Sequence, residues 1–116
     1  MGVDARHPSA SVPFESADFD EAGLRVEKVD MKALRACAPA FKMSRFTIKP
    51  GGHSALDCHE DQELWFIAAG EGELTRHGGE VTSVRPGDII ELGSNISHTL
   101  RNTGEGELRV FSVWWM

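Results

Sequence analysis

From Gly23 to the C-terminus, apolar residues fall into short runs separated by turn residues, and no run has the length or the three-to-four spacing of an amphipathic helix. Leu24, Val26 and Val29 mark a first strand, and Met31 to Ala40 reads as a short, Ala-rich, helical connection. Phe41 to Lys49 carries Phe41, Met43, Phe46 and Ile48 among polar residues. It stops at Pro50-Gly51-Gly52, where proline sets one backbone angle and glycine admits another. Leu64 to Ala69 is continuously apolar, which predicts a strand covered on both faces. Gly70-Glu71-Gly72 predicts a kink or bulge before Glu73 to Arg76. His77-Gly78-Gly79 is a hairpin signal leading to Val81 to Arg85, and Pro86-Gly87-Asp88 is a second one leading to Ile89 to Leu92. Ile96 to Asn102 and Leu108 to Trp115 follow, separated by Thr103 to Glu107. Turn signals every 8 to 12 residues or so predict an all-β sandwich or barrel.

Residues 1–20 differ from the rest. They are rich in Ser, Ala, Asp and Pro with only scattered apolar residues, and are expected to form an arm preceding a single domain over 21–116. A chain of 116 residues buries about 65% of its unfolded surface, enough to fold without disulfides. The formal net charge of -6 argues against nucleic-acid or anionic-membrane surfaces, which need clustered Lys and Arg. A small-molecule ligand or substrate fits better. Cys37 and Cys58 form no disulfide framework, and Met1 to Phe14 has no apolar stretch of signal-peptide type, so the expected compartment is the cytoplasm.

Chemistry concentrates in residues 50–70. Asp57 and His59 are two apart, so an extended strand would present both on one face, and Glu63 opens the next strand. His98 supplies a fourth ligand-type side chain late in the chain. Trp65 and Ile67, in phase with Glu63, are expected to line the same interior, whereas Cys58 would face away and pack against the second sheet. His53 reads as an exposed turn residue, and His7 and His77 as surface residues. Arg45, Arg101 and Arg109 are candidates for a substrate carboxylate, with strand register left open. Of Trp114 and Trp115, one ring is expected inside the barrel and one outside. Leu64, Phe66 and Ala68 would then present an apolar outer face, covered by a symmetric homodimer or, alternatively, by the chain's own arm.

Gly51, Asp57-Cys58-His59, Glu63 and Gly70 resemble the first cupin motif, in which a His-x-His pair, a glutamate and flanking glycines recur at these offsets. Gly87, Gly93-Ser94-Asn95, His98 and Asn102 resemble the second motif, where Pro-x-Gly, a histidine and an asparagine are usual. The resemblance spans residues 51–102 and implies a small jelly-roll β-barrel with one metal site inside. Carried over residue by residue, the ligand set is Asp57, His59, Glu63 and His98, with Asp57 where a histidine is usual. Two imidazoles and two carboxylates suit one divalent transition metal of the Fe, Mn, Zn or Ni group. Gly93 and Asn95 depart from Pro and Gly, and Asn95 can take the glycine's left-handed conformation.

The resemblance implies a metal-dependent enzyme acting on a small polar metabolite. Lyases, isomerases, cyclases and dioxygenases all use the fold, so it does not choose a reaction. A non-catalytic metal- or ligand-binding sensor is the competing class. A third alternative is the zinc-binding cupin component of a hydrazine-forming, amino-acid ligating system, which the ending Ser112-Val113-Trp114-Trp115 resembles.

Overall fold

The computed structural model describes residues 11–34, 39–56 and 58–116, so His7, Cys37 and Asp57 lie outside the described residues. Eight strands run through them: β1 (Leu24–Lys28), β2 (Lys42–Ile48), β3 (Gln62–Ala69), β4 (Gly72–Arg76), β5 (Glu80–Val84), β6 (Ile89–Leu92), β7 (His98–Asn102) and β8 (Leu108–Trp115). They form a five-stranded sheet in the order β1-β2-β8-β3-β6 and a three-stranded sheet in the order β5-β4-β7, with antiparallel pairing throughout. The sheets close face to face as a jelly-roll barrel, as the turn spacing and the motif resemblance predict. Among the described residues no helix is long and apolar enough to cross a membrane. The connection after β1 begins as one turn of 3-10 helix, Met31–Ala33, with the Asp30 side chain accepting from the Lys32 N–H.

Alternation along each strand decides which side chains enter the barrel. Ile48, Leu74, Leu100, Leu108 and Val110 are fully buried between the sheets. In β3 only the Trp65 and Ile67 positions are buried; Leu64 and Phe66 are half-buried and Ala68 is exposed. The continuous apolar run therefore belongs to a strand with one face in the core. Its outer face continues into Phe111 and Ile89, which are 41% and 64% exposed.

The segment 11–20 covers a different part of the outer surface. Phe14 bridges to Val29, the Glu15 N–H donates to the Lys28 carbonyl, and the Arg45 guanidinium stacks on the Phe14 ring at 3.8 Å. Phe19 receives Lys49 and Arg25 on its ring at 4.4 and 4.8 Å. These cation–π contacts hold the segment over β1 and β2 and leave the β3–β8 face open.

Two turns behave differently from each other. His77–Gly79 joins β4 to β5 as a hairpin. Pro86-Gly87-Asp88, expected to be a second hairpin, instead carries the chain between sheets, because β5 pairs with β4 and β6 pairs with β3. It is docked on β3 by the Ile67 N–H to Asp88 carbonyl and Gly87 N–H to Ile67 carbonyl bonds, both 2.9 Å. The expected irregularity near Gly70 appears as a register shift between Ile67 and Ala69 against β8. Gly70 itself has φ +86°, and a Cβ there would stand 2.5 Å from the Glu107 carbonyl oxygen, so neither the angle nor the space admits a side chain.

Asn102, the last residue of the second motif, joins three segments. Its buried amide donates to the Ile48 and Gly106 carbonyls at 2.8 Å each, and its Oδ1 accepts from the Gly104 N–H at 2.9 Å. Asn102→Ala would strand all three groups and is expected to cost about 2–4 kcal/mol, measurable as a lowered denaturant midpoint at unchanged slope. On the outer face, Glu27 receives Arg45 Nε at 2.9 Å and Nη2 at 3.4 Å. These bonds hold its carboxyl below the usual carboxylate range, against the opposing effect of burial. A lowered folded-state value contributes stability that is present above about pH 4.3 and is lost as pH falls through the folded-state value. Glu27→Gln is therefore expected to cost up to about 1 kcal/mol at pH 7, with the difference between wild type and variant shrinking in thermal melts as pH is lowered through the acid range.

Candidate metal centre

Glu63 lies near the start of β3 and His98 opens β7, so the two sheets each contribute one group to the same end of the barrel. His59 comes from the stretch between Gly52 and β3, whose described residues form no strand, although an extended strand was expected around His59. Its first part runs beside β7: His53 bridges to Arg101, the Ser54 N–H donates to the Leu100 carbonyl, and the Leu100 N–H donates to Ser54 Oγ. Beyond it the His59 carbonyl accepts from the Asn95 N–H at 2.7 Å. Asn95 has φ +59°, the left-handed conformation anticipated for a residue replacing glycine, and it is what turns the loop before His98 toward His59. Cys58 and His59 are not in a strand, so the inward and outward alternation expected of them fails, and Cys58 is exposed rather than packed.

His59, Glu63 and His98 offer ligand-type atoms that all lie within 4.8 Å of one another. Glu63 Oε1 is 4.0 Å from His59 Nε2 and 3.9 Å from His98 Nε2. Its other oxygen, Oε2, accepts from Trp65 Nε1 at 2.7 Å and from the Ser112 hydroxyl, so the carboxylate cannot turn away. His98 Nδ1 is 2.9 Å from the Ile96 carbonyl, which only an N–H can satisfy. In the neutral ring the lone pair is then on Nε2, which is buried and has no hydrogen-bond partner among the described residues. Two acceptors thus face each other across 3.9 Å, an arrangement that repels unless positive charge lies between them. The donor set and the orphaned nitrogen fit a divalent cation.

The surroundings are graded. The His98 side chain is 3% exposed and that of Glu63 13%, whereas that of His59 is 42% exposed, so the cluster is open on the His59 side. Trp65 closes the opposite side, packing edge-on to His98 at 5.3 Å and Phe46 at 5.1 Å. Register aligns Lys42, Trp114, Glu63 and Leu92 in one inward row, which puts Trp114 between the cluster and a cavity of about 490 Å³ bordered by Lys28, Lys42 and Met43.

Arg45, Arg101 and Arg109 all occupy outward positions and pair with Glu27, Glu73 and Glu107, so none reaches the interior. Sequence reasoning missed Ser112, whose signal was a polar residue in the inward phase of an otherwise apolar strand. It also missed Arg76, in phase with the core residue Leu74 and directly opposite His98. His53 and His77 are exposed, as expected.

Comparison with known proteins places this geometry. The model of the cupin domain family matches residues 44–114. A mannose-1-phosphate guanylyltransferase of Klebsiella pneumoniae is 32% identical over 77 residues, which is 65% of this chain and 16% of that protein. An oxalate-binding protein of Thermotoga maritima is 32% identical over 71 residues, 60% of this chain and 58% of the relative. The chain thus spans less than two thirds of either relative. A cupin 2 conserved barrel domain protein of Salinispora arenicola superimposes with a TM-score of 0.77 at 21% identity, covering 95% of this chain and 91% of that one. With both motifs on one jelly-roll barrel and the family model matching residues 44–114, this chain belongs to the cupin family.

Proposed function

We propose that this cupin is a metal-dependent enzyme acting on a small polar metabolite, with one divalent transition metal of the Fe, Mn, Zn or Ni group held by His59, Glu63 and His98. Asp57, two residues before His59, is proposed as a fourth ligand on the motif resemblance. The observation that carries this reading is the buried His98 Nε2, without a hydrogen-bond partner among the described residues, facing Glu63 Oε1. When bound, such an ion supplies Lewis acidity and coordination positions for a substrate oxygen.

The chain's own residues do the rest. Ser112 and Trp65 orient the Glu63 carboxylate, and the Ile96 carbonyl fixes the His98 tautomer. Trp65 and Phe46 keep water from the inner side. The exposed His59 side supports an exchanging ligand rather than a closed structural site. That the Thermotoga maritima relative is named for oxalate supports a small carboxylate as the ligand class.

Protein purified without added metal, or reconstituted with Fe, Mn, Zn or Ni, is expected to carry about one ion per chain by elemental analysis. His98→Ala and Glu63→Gln should abolish that occupancy, and an absence of metal from wild type under every condition would retire the assignment. Ser112→Ala removes only an orienting bond, so it is expected to weaken metal affinity by about 10- to 100-fold in a chelator competition while the thermal melt of the apoprotein barely moves.

A further inference from the structure

Arg76 sits where an arginine is least expected. It closes β4 in the inward phase, after Gly72 and Leu74, and its register partner across the small sheet is His98. In an antiparallel pair such residues have Cα atoms about 4.5–5.5 Å apart, and both side chains leave from the same face. Arg76 Nε is buried and bonds to nothing among the described residues. The neighbouring acids do not neutralise the guanidinium: Glu80 is its partner on the other side, Asp88 and Glu91 border the same seam, and none forms an ion pair with it among the described residues. Asp88 is instead occupied by the Arg85 N–H at 3.0 Å.

Two of the four buried side-chain atoms without partners among the described residues therefore belong to directly opposed residues, His98 and Arg76. Among those residues, one is an acceptor without a donor and the other a donor without an acceptor. The other two, Arg25 Nε and Thr47 Oγ1, are register partners on the opposite sheet; Arg25 stacks on Phe19 and pairs with Glu27. Arg76 also borders a cavity of about 290 Å³ at the seam where β5 and β6, the edge strands of the two sheets, meet without pairing. Leu74, Val84 and Ile90 form its apolar part, and Thr82, Ser83, Asp88 and Glu91 border it as well.

We propose that Arg76 is the anion-recognition residue of this site, binding one carboxylate of a small dicarboxylate whose second carboxylate occupies the His59–Glu63–His98 centre. The proposal rests on the metal-centre reading above and adds a substrate class to it: a compact dianion rather than a neutral polar metabolite. A planar guanidinium fork suits a carboxylate in two-point contact, which a lysine at the same position would not reproduce.

Isothermal titration of zinc-loaded wild type with malonate, and with uncharged malonamide of the same shape, tests this. Malonate should bind, malonamide should not, and metal-free protein should bind malonate much more weakly. Arg76→Gln should weaken malonate binding by about tenfold to a hundredfold with zinc content unchanged. Arg76→Lys should recover part of the affinity, and thermal melts of both variants separate ligand loss from unfolding. If Arg76→Gln does not fold, a wild-type-like melt and weakened malonate binding in Arg76→Lys carry the proposal, and unweakened binding there overturns it. Equal binding of malonate and malonamide, no malonate binding by zinc-loaded wild type, or an unchanged affinity in a folded, zinc-loaded Arg76→Gln would each overturn the role of Arg76 while leaving the metal centre standing. Failure of wild type to take up zinc or any other tested ion would remove both.

Discussion

Trp65 ties the hydrophobic core to the candidate centre through one side chain. Its indole packs against Phe46 in its own sheet and His98 in the other, and its N–H holds Glu63. Glu63 and His98 come from opposite sheets, so the distance between them is a property of the core's thickness rather than of either strand. Facing sheets pack about 10 Å apart, and a ring of this size fills that gap beneath the two groups. The same contact that excludes water from the barrel therefore sets the separation of two acceptor atoms. Their confrontation across 3.9 Å persists because the packing below them leaves no room to part.

The interior changes character along the barrel. At one end Ile48, Leu100 and Leu108 are fully buried and Asn102 binds the surrounding loops together through their carbonyls and an N–H. Toward the other end inward positions become polar: Ser112, Glu63, His98 and Arg76. Hydrophobic burial at the closed end contributes the free energy that allows polar groups with incomplete hydrogen bonding to be held at the open end. Charge is partitioned in the same way. The outward Arg45, Arg101 and Arg109 are paired with acids, while Arg76 forms no ion pair among the described residues, so a chain with a net charge of -6 keeps an unpaired cation beside its acceptor cluster. A net-negative surface thus surrounds an interior for which an anion is the proposed ligand.

Much of the fold was legible because turn chemistry is local. The strands, the His77–Gly79 hairpin and the bulge before β4 follow from glycine and proline positions whose backbone angles few other residues adopt. What the local signals could not say is which sheet a strand joins. Pro86-Gly87-Asp88 has the residues of a hairpin and serves as a crossover, because pairing partners are chosen by burial of Ile90 and Leu92 against distant strands. The continuous apolar run of β3 likewise suggested two covered faces, whereas the described chain covers one.

The sequence by itself determined the fold class, the paired motifs and the grouping of His59, Glu63 and His98, since each depends on residue type at a fixed offset from a turn. Asp57 joins that grouping only in what the resemblance to the first cupin motif implies. Only the tertiary structure decided that His59 lies outside any strand and is hydrogen-bonded to Asn95, that Cys58 is exposed, and that Arg76 rather than Arg45, Arg101 or Arg109 points inward. Those outcomes depend on register between strands distant in sequence. Shifting a strand by one residue exchanges its two faces, and nothing within the strand's own sequence records which neighbour it will meet.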